Sequence, residues 1–367
     1  MKKIVIISRS FYPANNPRAN RTTELAKELA RQGHRVTVYA VLGNYDYLDF
    51  EKKFYVNVKN MGPAIFSTTN SDGVQKPDSF KTKLGSVLFN KVLEFPDIEL
   101  SFRVYRVLTE ISKKDILITI AVPYPIHWGA AFAKDRIKNF PDTWIADCGD
   151  PYMGNPNNKH PFYFKYIEKW FCRKVDYLTV PTQESISAYY SEFHNKIKVI
   201  PQGFNFDDYN DLPEYKKNTI PTFIYAGAFY KNIRDPRPFL SYLTTLDDNF
   251  KFIIYTRNKG LIEEYESQLG SKLEVKDFVP RKDVIKEFAK ADFLINFENA
   301  EKVQTPSKII DYALSNRPIL SISHKQSEFI EFEEFLKHKF NNNFDGKDIS
   351  KFDIKNVANQ VLQLNNK

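Results

Sequence analysis

Residues 305–320, Thr-Pro-Ser-Lys-Ile-Ile-Asp-Tyr-Ala-Leu-Ser-Asn-Arg-Pro-Ile-Leu, bring a cation and a carboxylate onto the opening turns of one helix. Pro306 and Ser307 suit a helix start, because proline lacks an N–H that is not needed there and serine can cap. Lys308 and Asp311 stand three residues apart and project from the same part of the first turns. A carboxylate accepts two adjacent hydroxyls well. Ser307, Lys308 and the first free N–H groups suit a diphosphate, and the helix dipole adds to the attraction. A single Asp on a helix is otherwise only a solvated charge.

Other candidates are spread along the chain. Asp147 and Asp150, in Ala-Asp-Cys-Gly-Asp-Pro, put two carboxylates at a strand end, where they could orient a hydroxyl or take its proton. Asp150, before Pro151, equally suits a turn. His127 follows a strand at a helix start; neutral, it could hydrogen-bond a hydroxyl or relay a proton, or simply cap or pack. Arg18 and Arg21, beside the first helix, are candidate phosphate cations. No His/Cys/Asp cluster has ligand spacing, so no essential metal and no cofactor are expected.

These residues need a frame, and the apolar runs supply one. Ile4–Ile7, 35–41, 115–121, 143–147, 177–180 and 197–200 read as strands, with helices over about 21–32, 86–112 (broken at Pro96), 162–174 and 184–193. The second half repeats the alternation, with strands at 222–226, 250–255, 273–275, 293–296 and 319–322. Regular βα alternation predicts an α/β protein of two parallel-sheet, doubly wound domains. The expected bounds are 1–200 for the first domain, 201–221 for a linker, 222–345 for the second domain and 346–367 for a tail helix. Residues 43–85 show no periodicity and read as an irregular insertion.

Length and composition agree with this frame. At 367 residues the chain exceeds one ordinary core. The net charge of +8 fits an anionic ligand or an anionic membrane surface, and equally a generally basic surface; nothing beyond charge suggests nucleic acid. Two cysteines, Cys148 and Cys172, without metal spacing point to a reducing compartment. No run approaches the ~20 apolar residues needed to span a bilayer. The expectation is a cytoplasmic protein, with peripheral contact at the inner membrane a further possibility through the basic residues Lys91, Arg103 and Arg106 of 86–112. An ordinary packing helix is the simpler account of that stretch.

The stretch 305–320 resembles the nucleotide-binding signature of family 4 (group 1) glycosyltransferases of GT-B fold, in the version common in bacterial surface-polysaccharide assembly. The resemblance implies two Rossmann-like domains facing a central cleft, a last helix that returns to the first domain, and Asp311 as the residue that binds the ribose of a nucleotide-sugar donor. The family's first acidic position is Val303 here, with Glu298 and Glu301 nearby as substitutes. The loop from Gly227 to Arg234 resembles the family's glycine-and-cation loop, making Lys231 and Arg234 candidates for the diphosphate; Ala228 stands where the family has Arg. His127 falls where a histidine lies near the reacting sugar. Asp147 and Asp150 match Asp-x-Arg-Asp-Pro, with Gly149 in place of the arginine. Arg18 and Arg21 would serve an acceptor phosphate or the donor diphosphate. The resemblance thus implies a glycosyltransferase of hexosyltransferase type, retaining and metal-independent, that acts on a glycan or lipid-linked acceptor for capsule, O-antigen or exopolysaccharide. Two alternatives stay open: a nucleotide-sugar epimerase of similar fold, and a non-catalytic nucleotide-sugar-binding partner.

Overall fold

The computed structural model describes residues 1–62, 92–155, 159–231, 234–298, 308–322, 329–339 and 349–365. The chain divides into two compact units, Met1–Phe204 with Lys351–Lys367, and Asn205–Ser350. Each is a parallel α/β layer structure, as the alternation predicts.

The first unit is built on β1 (Lys3–Ser8), β2 (Arg35–Ala40), β3 (Val56–Asn60), β4 (Ile116–Ala121), β5 (Thr143–Cys148), β6 (Tyr177–Val180) and β7 (Ile197–Val199). They form one sheet in the order β3-β2-β1-β4-β5-β6-β7, every pair parallel. Ile4–Ile7 and Ile116–Ala121 are buried throughout, which is why they read as unbroken apolar runs: both faces are covered. Helix α1 (Pro17–Arg31) starts where Asn16 accepts a hydrogen bond from the Ala19 N–H and Pro17 takes the first position. Helices α2 (Leu48–Phe54), α3 (Glu99–Glu110), α4 (Pro125–Lys134) and α5 (Phe164–Lys174) complete the described layers. The strand order reverses between β1 and β4, and the loops after those strands flank that point.

The second unit has β8 (Thr222–Ala226), β9 (Lys251–Tyr255), β10 (Leu273–Lys276), β11 (Phe293–Phe297) and β12 (Ile319–Ile322), in the parallel order β10-β9-β8-β11-β12. Its helices are α6 (Arg237–Leu243), α7 (Glu263–Leu269), α8 (Arg281–Lys290), α9 (Lys308–Leu314) and α10 (Phe329–Leu336). Phenylalanines fill one face, with Phe223 stacked between Phe252 (4.6 Å) and Phe293 (5.0 Å). Residues leading into β8 are held to this unit by the buried Asp292, which accepts from Tyr215 Oη (2.6 Å), Asn218 Nδ2 (3.0 Å) and Thr222 N (2.7 Å). The chain then returns to the first unit. The Phe204 N–H donates to Phe352 O and the Ile354 N–H to Phe204 O, and α11 (Ile354–Gln363) packs against α1 through Ile354, Val357, Ala358 and Val361.

The structure corrects three expectations. Residues 48–60, inside the supposed irregular insertion, form α2 and the edge strand β3; residues 63–85 lie outside the described set. Residues 184–196 form two short 3-10 segments rather than an α-helix, because Tyr189 is extended between them. In α3, Arg103 is turned inward and ion-paired with Glu99 at 2.9 Å, which removes it from any basic surface stripe; Lys91 lies outside the described residues. Among the described residues no helix is long and apolar enough to cross a membrane.

Candidate active site

In the second unit the candidates gather past the carboxyl ends of β8 and β11, the pair at which strand order reverses. Gly227 follows β8 with φ +147°, a conformation that favours glycine, while its N–H donates to Tyr255 O at 2.8 Å and continues the ladder. The loop then doubles back: Tyr230 and Arg234 exchange backbone hydrogen bonds of 3.1 and 2.9 Å. Lys231, at its tip, is exposed, whereas the half-buried Arg234 donates to Ala228 O at 3.4 Å. Arg237 is tied to Asp235. Glu298, just after β11, is exposed; Glu301, Val303 and Ser307 lie outside the described residues.

Helix α9 is fixed to the sheet by Tyr312, fully buried, whose hydroxyl donates to Ile295 O at 3.0 Å. Lys308 is its first residue. Asp311, one residue before Tyr312, meets Arg281 of α8: the guanidinium reaches Asp311 Oδ1 through Nε at 2.7 Å and through Nη2. Their side chains are 35% and 15% exposed, so the carboxylate stays at the surface in a fixed orientation. Sequence reading missed Arg281, because nothing local links a residue thirty positions upstream to Asp311.

The first unit uses its candidates otherwise. Arg21 grips Asp147 through Nε and through Nη2, the latter at 2.6 Å, with side chains only 8% and 4% exposed. Asp147 also accepts from Thr179 Oγ1 at 2.7 Å, and Arg21 donates to Ile200 O at 3.2 Å. The expected acceptor carboxylate and phosphate cation therefore neutralise one another inside the fold. His127 is fully buried. Its Nδ1 meets Thr119 Oγ1 at 2.8 Å, its Nε2 lies 3.6 Å from Cys148 Sγ, and its ring stacks on Phe171. Burial pushes its pKa down to about 3, so it is held neutral within the core.

Arg18 and Asp150 form a second, half-exposed pair. A Cβ at Gly149 would collide with the Arg18 guanidinium, so glycine at 149 is what lets Arg18 cross to Asp150. Of the five first-unit candidates, Arg18 and Asp150 are the two that face solvent to a useful extent. Among the described residues no group of His, Cys, Asp and Glu is placed to hold a metal ion.

The model of the family described as Glycosyltransferase Family 4 matches residues 19–208, just over half of the chain. No curated protein matches it in sequence. Solved structures with a similar fold include a glycosyltransferase from Rickettsia africae (12% identity, TM-score 0.66, 99% of this chain and 98% of that one). Another is Anabaena HepE in complex with UDP-glucose (11% identity, TM-score 0.61, 99% of each chain). A third is a mutant S. aureus TarM in complex with fondaparinux, alpha-GlcNAc-glycerol and UDP (12% identity, TM-score 0.61, 100% of each chain).

Proposed function

The chain belongs to glycosyltransferase family 4, and from that premise we propose that it moves a sugar from a nucleotide-sugar donor to a glycan or lipid-linked acceptor. The observation that carries this reading is the Arg281–Asp311 arrangement on the carboxyl edge of the second sheet. A carboxylate oriented by a guanidinium and still reached by solvent presents a fixed acceptor to a pair of ribose hydroxyls. Uridine nucleotides are the first to try, since HepE and TarM, of similar fold, are seen with UDP-glucose and UDP.

The donor diphosphate is then met by Lys231, Lys308 and the Arg234 loop, with no metal required. These cations stabilise charge that grows on the leaving diphosphate as the bond to the anomeric carbon breaks. The reaction retains configuration: the acceptor oxygen attacks from the face the diphosphate leaves, and its proton passes to a phosphate oxygen. Asp150, held by Arg18, orients the acceptor hydroxyl; Asp147, Arg21 and His127 support that edge from within the fold. Glu298 stands in for the family's acidic residue at Val303. The product is a capsule, O-antigen or exopolysaccharide chain, built in the cytoplasm with peripheral contact at the membrane.

A thermal-shift panel of sugar nucleotides on the full chain tests the core of this reading. One donor at ~100 times its Kd should stabilise the fold by about 2.7 kcal/mol, and Asp311→Ala should abolish that shift. An unchanged shift in Asp311→Ala would sink the ribose assignment, and no transfer with any donor would sink the activity.

A further inference from the structure

At the carboxyl ends of β1 and β2, the loops 9–16 and 41–47 carry a group of aromatic rings to which the reaction above gives no part. Phe11 and Phe50 are buried beneath them. Tyr12 stacks on Phe50 with ring centroids 5.0 Å apart and planes at 28°. Tyr45 stands almost square to Tyr12, at 86° and 5.5 Å. Tyr47 meets Tyr45 edge to face at 4.9 Å.

This group is anchored at several points. The Tyr47 hydroxyl donates to the backbone carbonyl of Tyr12, so the two loops are fastened to each other. The Tyr12 N–H donates to Thr23 Oγ1 of α1 at 3.2 Å. Rings that only closed the core would be covered. Here Tyr12 is 38% and Tyr45 42% exposed, on a frame that does not let them fold away.

Two rings at a right angle make an apolar corner. Its surroundings are polar: Asn15, Asn44 and Asp46 are exposed on the same loops. A pyranose ring has the matching chemistry, with a face of C–H bonds that packs on an aromatic ring and a rim of hydroxyls that need hydrogen-bond partners. An anionic lipid surface fits less well, because Asp46 and Asp49 are exposed on the same stretch as Tyr45.

We propose that Tyr12 and Tyr45 form a sugar-stacking subsite of the first unit, on which one sugar residue of the glycan acceptor rests. The proposal depends on the reading that this chain transfers to a glycan. The corner lies on the edge of the sheet where ligands of such folds collect: Tyr12 is on the loop after β1, which flanks the strand-order reversal, and Tyr45 on the next loop, after β2. Tyr12 and Tyr45 take no part in bond making; they hold the acceptor.

The test uses the full chain, with cellotriose, chitotriose and mannotriose as probes in saturation-transfer NMR. Tyr45→Ala and Tyr45→Phe are the variants, since Tyr45 is exposed and its loss spares the Phe50 packing. At least one probe should bind the parent chain, lose affinity about tenfold in Tyr45→Ala, and keep most of it in Tyr45→Phe. The nucleotide-induced thermal shift should be the same in all three proteins. Equal binding in all three, or binding of none of the probes, overturns the subsite. So does Tyr45-dependent binding of phosphatidylglycerol vesicles without any sugar binding, which would make the corner a membrane contact. Absence of any nucleotide shift in the parent chain would instead strike the donor reading and leave the sugar measurement to stand by itself.

Discussion

Arg21 and Asp147 in the first unit and Arg281 and Asp311 in the second are the same chemical pair, a guanidinium against a carboxylate beside parallel strands. In the first unit the side chains are 8% and 4% exposed and their remaining hydrogen bonds go to Thr179 and Ile200. In the second they are 35% and 15% exposed on the surface of a sheet edge. The difference lies in where each arginine comes from. Arg21 sits on the buried face of α1, so its charge must be met inside the fold. Arg281 opens α8 and reaches sideways. A buried pair is costly to break and does little else, whereas a half-open one can exchange partners with a ligand. Residue type at a strand end therefore does not distinguish a scaffold ion pair from a binding group; burial does.

Breaking the buried pair should have the largest effect. Asp147→Ala leaves a guanidinium stranded and should cost about 3–5 kcal/mol in urea unfolding. Adding Arg21→Met should recover much of that loss, and a single-variant cost below ~1 kcal/mol would contradict the burial argument.

Next comes Glu168, also inside the first unit and fully buried, with Oε2 unpartnered. Burial pushes its pKa up from 4.5 to about 7. A carboxyl raised in this way contributes stability that is complete below its unfolded pKa and is lost as pH rises through the folded one. Stability should therefore fall by about 3 kcal/mol between pH 4.5 and pH 7–8 on this account, and Glu168→Gln should flatten that part of the profile in chemical denaturation at a series of pH values.

The open pair should behave in the opposite way. Arg281→Ala should change stability by less than ~1 kcal/mol, yet raise the KM for the donor severalfold, with Arg281→Lys intermediate. A large stability loss with unchanged KM would put this pair in the same class as Arg21–Asp147. The smallest effect belongs to Lys231→Ala: no measurable change in unfolding, and a modest rise in donor KM that shrinks at high salt, as expected of an exposed cation.

The frame was legible because buried parallel strands leave unbroken apolar runs; β1 and β4 could hardly be read otherwise. The edge strand β3 was not, since Val-Asn-Val-Lys-Asn has one covered face and follows directly on a helix. Residues 184–196 misled for a definite reason. Ser185, Tyr189 and Phe193 are buried at intervals of four, which imitates a helical face although the backbone straightens at Tyr189. Among site residues, Asp311 could be singled out from its local neighbours. Its partner Arg281 could not, nor could the pairing of Arg21 with Asp147, because both depend on contacts between distant segments. Gly149 is the reverse case: the sequence showed an arginine missing, and the space is taken by Arg18 of α1.

Helix α11 has a consequence for how this protein is made. Ile354, Val357, Ala358 and Val361 belong to the core of the first unit, yet the ribosome adds them only after all of Asn205–Ser350. During synthesis the first sheet waits with a strip of apolar surface over α1 uncovered, while the second unit has every residue it needs. A nascent chain halted at residue 204 should accordingly be sticky and protease-sensitive, and supplying residues 351–365 as a separate peptide should protect it.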